Sequence, residues 1–185
     1  MTRRISLIVT FVALWLLSAP AVAGQGDGRL ESLFGDLLGT SDQVAAEAVQ
    51  DRIWDIWLEH PQEDIVLLMR DGVQKLNADQ YAEALADFDA VVARDPNYAE
   101  GWDKRANAEY LLGNYDNAVR DIRRVLALEP RHFGALAGLG LVYLAIDQPA
   151  GALRAFNAAL AINPHLDGVR QQATKIRQRM AGSAL

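Results

Sequence analysis

Residues 118–130 read AVRDIRRVLALEP, and the same thirteen positions return as ALADFDAVVARDP at 84–96 and ALRAFNAALAINP at 152–164. The copies stand 34 residues apart. Each begins on a small residue (Ala84, Ala118, Ala152) and carries a large apolar one four places on (Phe88, Ile122, Phe156). Val91, Val125 and Ala159 follow in register, and each copy closes on Asp95-Pro96, Glu129-Pro130 or Asn163-Pro164. Upstream, Leu68, Trp102 and Leu136 share a position, as do Gly72, Ala106 and Gly140. Small residues recur where helices must approach closely, and large ones where the gap between them widens. A period of this length marks a stacked supersecondary unit.

Each unit reads as two helices. Ile65, Leu68, Met69, Gly72, Val73 and Leu76 form one helical stripe. Asn77-Ala78-Asp79 is the turn, with Asp79 expected as N-cap of a second helix whose apolar face is Ala84, Leu85, Phe88, Val91 and Val92. In unit two the turn is Leu112-Gly113-Asn114-Tyr115, and Gly113 suits the left-handed conformation that ends a helix. Pro149 falls in the first turn of a helix in unit three, where its missing N–H costs nothing. The pattern resembles the tetratricopeptide repeat (TPR) family over residues 65–166. The resemblance implies an all-α fold, a right-handed α-solenoid of three helix pairs at 65–98, 99–132 and 133–166. The turns depart from the family by lacking its usual Gly-aromatic pair in unit three, which has Asp147 and Pro149.

Outside the repeats, 167–185 is a basic capping helix and tail, with Val169, Ala173, Ile176 and Met180 at helical spacing. Residues 1–23 have the marks of a cleaved signal peptide: Arg3 and Arg4, an apolar run from Ile5 to Leu17, Pro20, then Ala21-Val22-Ala23. Cleavage after Ala23 would send the chain to the periplasm or outside a Gram-negative cell. It would also touch the membrane only through that transient segment, and leave a net charge of −8 from the −6 of the whole. Together with the repeats, this resembles small exported TPR proteins of such bacteria.

Nearly all the remaining charge sits in 24–61, an acidic, Trp-bearing helical leader ahead of the repeat region 62–166. Residues 24–63 hold nine acids and two Arg, a balance of −7. Leu30, Leu33, Phe34, Leu37 and Leu38 form a first short stripe ended by Gly39. A second helix spans about Asp42 to Glu59, with Glu47, Asp51, Asp55 and Glu59 on one face and Ala45, Val49, Ile53, Ile56 and Trp57 opposite. Trp54 and Leu58 fall on the flank. Two roles fit the leader: a cap packed on the first repeat and sealed by Trp57, or an arm that fills the groove or docks a partner through Trp54.

The 185 residues contain no Cys, which removes thiol catalysis, thiolate zinc sites, iron–sulfur clusters and disulfides. The acidic balance argues against nucleic acid. No Gly-rich loop ends in Gly-Lys-Ser, and no Ser, His and Asp share an activating turn. His132 and His165, in equivalent turns, are expected to be solvated rather than metal ligands. No catalytic residue, metal or cofactor is expected, which leaves binding. In the family, first helices line a groove for a peptide or helix. Carried over, its positions here are Val66, Met69, Val73 and Leu76, then Asp103, Asn107, Tyr110 and Leu111, then Ala137, Leu141 and Leu144. Of the residues that would clamp a carboxylate, only Lys104 and Asn107 are present. The expectation is a non-enzymatic adaptor holding an unidentified protein or peptide. The alternative is a self-associating subunit whose leader docks in its own or a neighbour's groove.

Overall fold

A computed structural model describes residues 24–182; the signal-type segment and the last three residues lie outside them. Among the described residues there are helices and turns and no strand. A single 3-10 turn, Gly24–Gly26, precedes α1 (Arg29–Gly39) and α2 (Gln43–Leu58). Three pairs follow: α3 (Glu63–Asn77) with α4 (Tyr81–Arg94), α5 (Ala99–Leu111) with α6 (Tyr115–Leu128), and α7 (Phe133–Ala145) with α8 (Pro149–Ile162). The last helix is α9 (Asp167–Gly182), whose Ala173 and Ile176 are buried in one core cluster with Phe156. No helix among the described residues is long and apolar enough to cross a membrane.

Volume matching fixes each pair. In the first pair a Cβ added at Gly72 would lie 2.6 Å from Phe88 Cε1. In the third, Gly140 lies against Phe156 in the same way. The middle pair has Ala106 and Ile122 at these positions: one methyl more on the first helix, a smaller side chain on the second. The apolar volume across the interface is kept while its distribution changes, the substitution pattern a close-packed core tolerates best.

The turns repeat as well. Asp79, Gly113 and Asp147, again 34 apart, all have left-handed backbone, with φ of 59°, 79° and 55°. Asp79 therefore does not cap α4 as expected: the cap position is Gln80, and the Asp79 carboxylate accepts from the Tyr81 hydroxyl at 2.6 Å. Asp tolerates this conformation better than most residues because its short side chain bonds locally. Pro149 opens α8, as its fixed φ favours.

The leader takes a path that the cap reading did not contain. Asp42 caps α2 by accepting the Val44 N–H at 2.9 Å, and α2 then runs back across all three inter-repeat junctions. At the third junction Asn163 Nδ2 donates to Gln50 Oε1 (2.6 Å) and His165 Nε2 donates to the Leu37 carbonyl (3.1 Å). At the second, Arg131 bonds Glu31 (2.9 Å) and lies over the Phe34 ring. At the first, the Tyr98 hydroxyl donates to the Leu58 carbonyl (3.1 Å), and His60 Nε2 lies 3.1 Å from Asp95. Leu30, Leu33, Phe34, Leu37, Ile53, Ile56 and Trp57 are all buried, in one cluster with Phe133. The buried arc of α2 includes Ala46 rather than Ala45, which is exposed, because α1 and the junctions hold the helix from two sides.

The Gly72–Phe88 contact yields a direct check. Gly72→Ala is expected to cost about 1–3 kcal/mol through overpacking. Adding Phe88→Ile, which copies the middle pair, should recover most of that loss in urea denaturation midpoints.

Candidate functional site

The first helices α5 and α7 lie side by side, and the leader covers only the end where both begin. Glu100 sits in the first turn of α5, where the positive helix end favours a carboxylate, and its side chain is 0% exposed. His132 occupies the N-cap of α7 and is also fully buried. Its Nδ1 accepts the Ala135 N–H at 3.0 Å, so the ring proton sits on Nε2 and is donated to Glu100 Oε1 at 2.8 Å. The Trp57 indole stacks on the imidazole at 4.3 Å between centroids and 6° between planes. Trp54 meets His132 and Phe133 edge-on at 5.5 and 5.4 Å. The Trp57 indole N–H is buried with no hydrogen-bond partner among the described residues, a cost of about 1–3 kcal/mol that this aromatic packing must offset.

One turn along α5, the Lys104 ammonium lies 3.1 Å from Glu100 Oε2, 3.2 Å from Asp103 Oδ2 and 5.4 Å from the Trp54 ring centre. Burial pushes the Glu100 carboxyl up, but the Lys104 charge and the His132 hydrogen bond outweigh it and hold the group at about 2. Burial likewise works against the Lys104 charge, and the Glu100 and Asp103 carboxylates overcome it and raise its pKa. Ligand atoms of Glu100, Asp103 and His132 come within 4.8 Å of one another, a spacing that suits a cation. The cation placed there is Lys104. Burial works against a charged His132, while the Glu100 hydrogen bond and the nearby carboxylates pull its pKa up. Nδ1 is already the acceptor of the Ala135 N–H, however, and so carries no proton. With the ring neutral, two carboxylates face one ammonium, leaving the cluster one negative charge in excess.

The expectation that His132 is a solvated turn residue is overturned, because Trp57 covers it. His165 is half-buried and gives its N–H to Leu37. Sequence reasoning missed the pairing of Glu100 with His132. His132 shares its register position with Tyr98 and Leu166, so the repeat carries no mark of a buried acid partner.

Beyond the leader, α5 and α7 stay open. A cleft of about 250 Å³ lies between them, lined by Asp103, Ala106, Asn107 and Tyr110 from α5 and by Gly134, Ala137, Gly138, Leu141 and Val142 from α7, with Ile122 of α6. Its depth comes from the sequence: Gly134, Ala137 and Gly138 put almost no side chain on the face of α7 turned to α5. Five of the groove positions carried over from the family, Asp103, Asn107, Tyr110, Ala137 and Leu141, meet there. Met69 does not: it is 6% exposed, in one core cluster with Ile65 and Phe88, against which Val73 and Leu76 also pack. Leu144 packs against the Phe156 cluster. Trp54 and Trp57 both face the solenoid, and Lys104 is committed to Glu100 and Asp103.

The tetratricopeptide repeat family model matches residues 73–120 and 104–167, from within α3 through α8. The chain belongs to the TPR family. A TPR repeat-containing protein of Rhizobium etli is 31% identical over 155 residues, covering 84% of this chain and 76% of that protein. The Sgt2 TPR domain of Aspergillus fumigatus has the same fold, with a TM-score of 0.63 at 17% identity over 67% of this chain and 83% of that one. The first TPR of Spaghetti (RPAP3), solved with the HSP90 peptide SRMEEVD, gives 0.61 at 21% identity over 64% and 94%.

Two tests address the buried cluster. Trp57→Ala should cost about 3–5 kcal/mol, as truncation of a buried aromatic does. Glu100 titrates at 4.5 when unperturbed and at about 2 in the fold, so its charge contributes stability that is complete above pH 4.5 and is lost as pH falls toward 2. Glu100→Gln should therefore be less stable than the parent at neutral pH and show a flatter acid limb. Urea denaturation at neutral pH and at about pH 3 reads both effects.

Proposed function

We propose that this protein is a non-enzymatic adaptor of the bacterial envelope that holds a peptide or amphipathic helix of a partner protein in the cleft between α5 and α7. The observation that carries the proposal is the cleft itself. The leader hides apolar surface at all three junctions yet leaves this recess open, with exposed Asn107 and Leu141 at its mouth. Exposed apolar concavities on a folded domain mark binding sites more often than they arise by chance. Asn107 offers an amide that can both donate to and accept from a peptide backbone, and Tyr110 offers an amphipathic ring. The peptide held by Spaghetti lends support to a peptide ligand on this scaffold. Arg3, Arg4 and the apolar run behind them support export.

The alternative, a subunit whose leader docks in a neighbouring copy, is less favoured because the leader is already seated on its own chain. Light scattering distinguishes the two: the adaptor reading expects one mass across concentration, and leader exchange expects a rising one.

The binding test is affinity capture from an envelope extract with the mature chain and with an Asn107→Ala, Tyr110→Ala variant. A partner retained by the parent and lost by the variant is the expected result. Equal retention by both proteins removes the cleft from the proposal.

A further inference from the structure

We infer that the cleft takes one bulky apolar side chain from a partner segment that carries a cationic residue beside it; the inference rests on the adaptor reading above and gives that partner its chemistry. Three observations lead there. The leader closes one end of the recess: a Cβ on Gly134 would meet Trp54 Cη2 at 2.5 Å, so the indole fills the space where an extended peptide would continue along the helices. What remains is a pocket rather than a through-going groove. Its walls, chiefly Ala106, Ile122, Gly138 and Leu141, are apolar, and desolvating an apolar side chain against them is the main gain on offer.

Charge then selects what may flank that anchor. Among the described residues, Asp103 is the one charged side chain lining the cleft. Its neighbour Lys104 is already shared with Glu100, and the cluster keeps one negative charge in excess. A cationic group next to the anchor completes that balance. A carboxylate would face Asp103, and the described residues of the lining hold no Lys or Arg to receive it, so an acidic tail of the SRMEEVD type is rejected.

The test uses phage-displayed random dodecapeptides selected on the full mature chain. Labelled winners, together with SRMEEVD, are then titrated by fluorescence anisotropy against the parent and two variants. Gly138→Leu plugs the cleft: a Cβ there meets only Ile122 Cδ1, at 3.9 Å, so the side chain has room to enter the recess. Asp103→Asn removes the selecting charge. The expected winners share a Leu, Phe or Trp with Lys or Arg within two positions, and SRMEEVD does not bind. Gly138→Leu should weaken the winners by about tenfold or more, the scale of losing one buried apolar side chain. Asp103→Asn should weaken them several-fold and reduce their salt dependence. Should Gly138→Leu lose its helical circular dichroism, Leu141→Ala decides instead, by weakening the same peptides. Winners that are acidic or lack an apolar anchor, or that bind the plugged and parent chains equally, overturn the inference and leave the adaptor reading standing. Failure to enrich any peptide counts against both.

Discussion

Glu100 is an ionised carboxylate with no access to water, and three elements must be in place before the chain can bury it. Lys104 comes from the next turn of its own helix, the His132 N–H comes from the following junction, and Trp57 arrives from the leader to close the site. Taking a carboxylate out of water costs several kcal/mol unless it is paired and hydrogen-bonded, and removing one partner strands the others. The cluster therefore couples the leader to the second and third repeats. His132 serves it twice, since the nitrogen that does not meet Glu100 caps α7.

That coupling changes what kind of object the solenoid is. Stacked repeats ordinarily touch only their neighbours, and stability is then close to a sum of repeat and interface terms. Here α2 crosses all three junctions and engages equivalent register positions in each. Tyr98 bonds Leu58, His132 stacks on Trp57, and Leu166 packs on the leader's core cluster. The three histidines of the chain, His60, His132 and His165, all lie along this seam. A strap fixed at both ends and the middle ties the first repeat to the third, so fraying of a terminal repeat has to break contacts with the leader as well as with its neighbour.

The repeat was legible because its signal is local and occurs three times. The 34-residue period, the Gly72–Phe88 and Gly140–Phe156 matches and the Pro at each junction are properties of single helix pairs. The leader's two helices were legible because their apolar stripes are local too; that Asp42 caps the second of them is a finding of the structure. Its destination was not. An amphipathic stripe says that a face is covered and is silent on what covers it. Trp54 fell on the flank because α2 is gripped from two directions, by α1 and by the junctions, which widens the buried arc beyond one stripe. Met69 was placed in the groove by family register, whereas the core of its own repeat claims it. The Glu100–His132 pair joins residues whose partnership exists only once the third repeat has stacked on the second.

The cleft is what remains after these constraints are met. Leader and solenoid together bury the apolar surface at the starting ends of α5 and α7, and the aromatic rings of Trp54 and Phe133 fill the space between them. Further along, the same two helices carry Ala137 and Gly138 opposite Ala106 and Asn107, and the recess between them stays open among the described residues. Packing among the described residues does not require Gly138 to be so small: unlike at Gly72, Gly134 and Gly140, a Cβ there would meet Ile122 at an ordinary 3.9 Å. A glycine in the middle of a helix costs about 0.5–1 kcal/mol relative to Ala. At the other three positions close approach of an aromatic ring accounts for that cost. At Gly138 no ring approaches among the described residues, and what the missing side chain provides is the depth of the recess that the proposed peptide site uses.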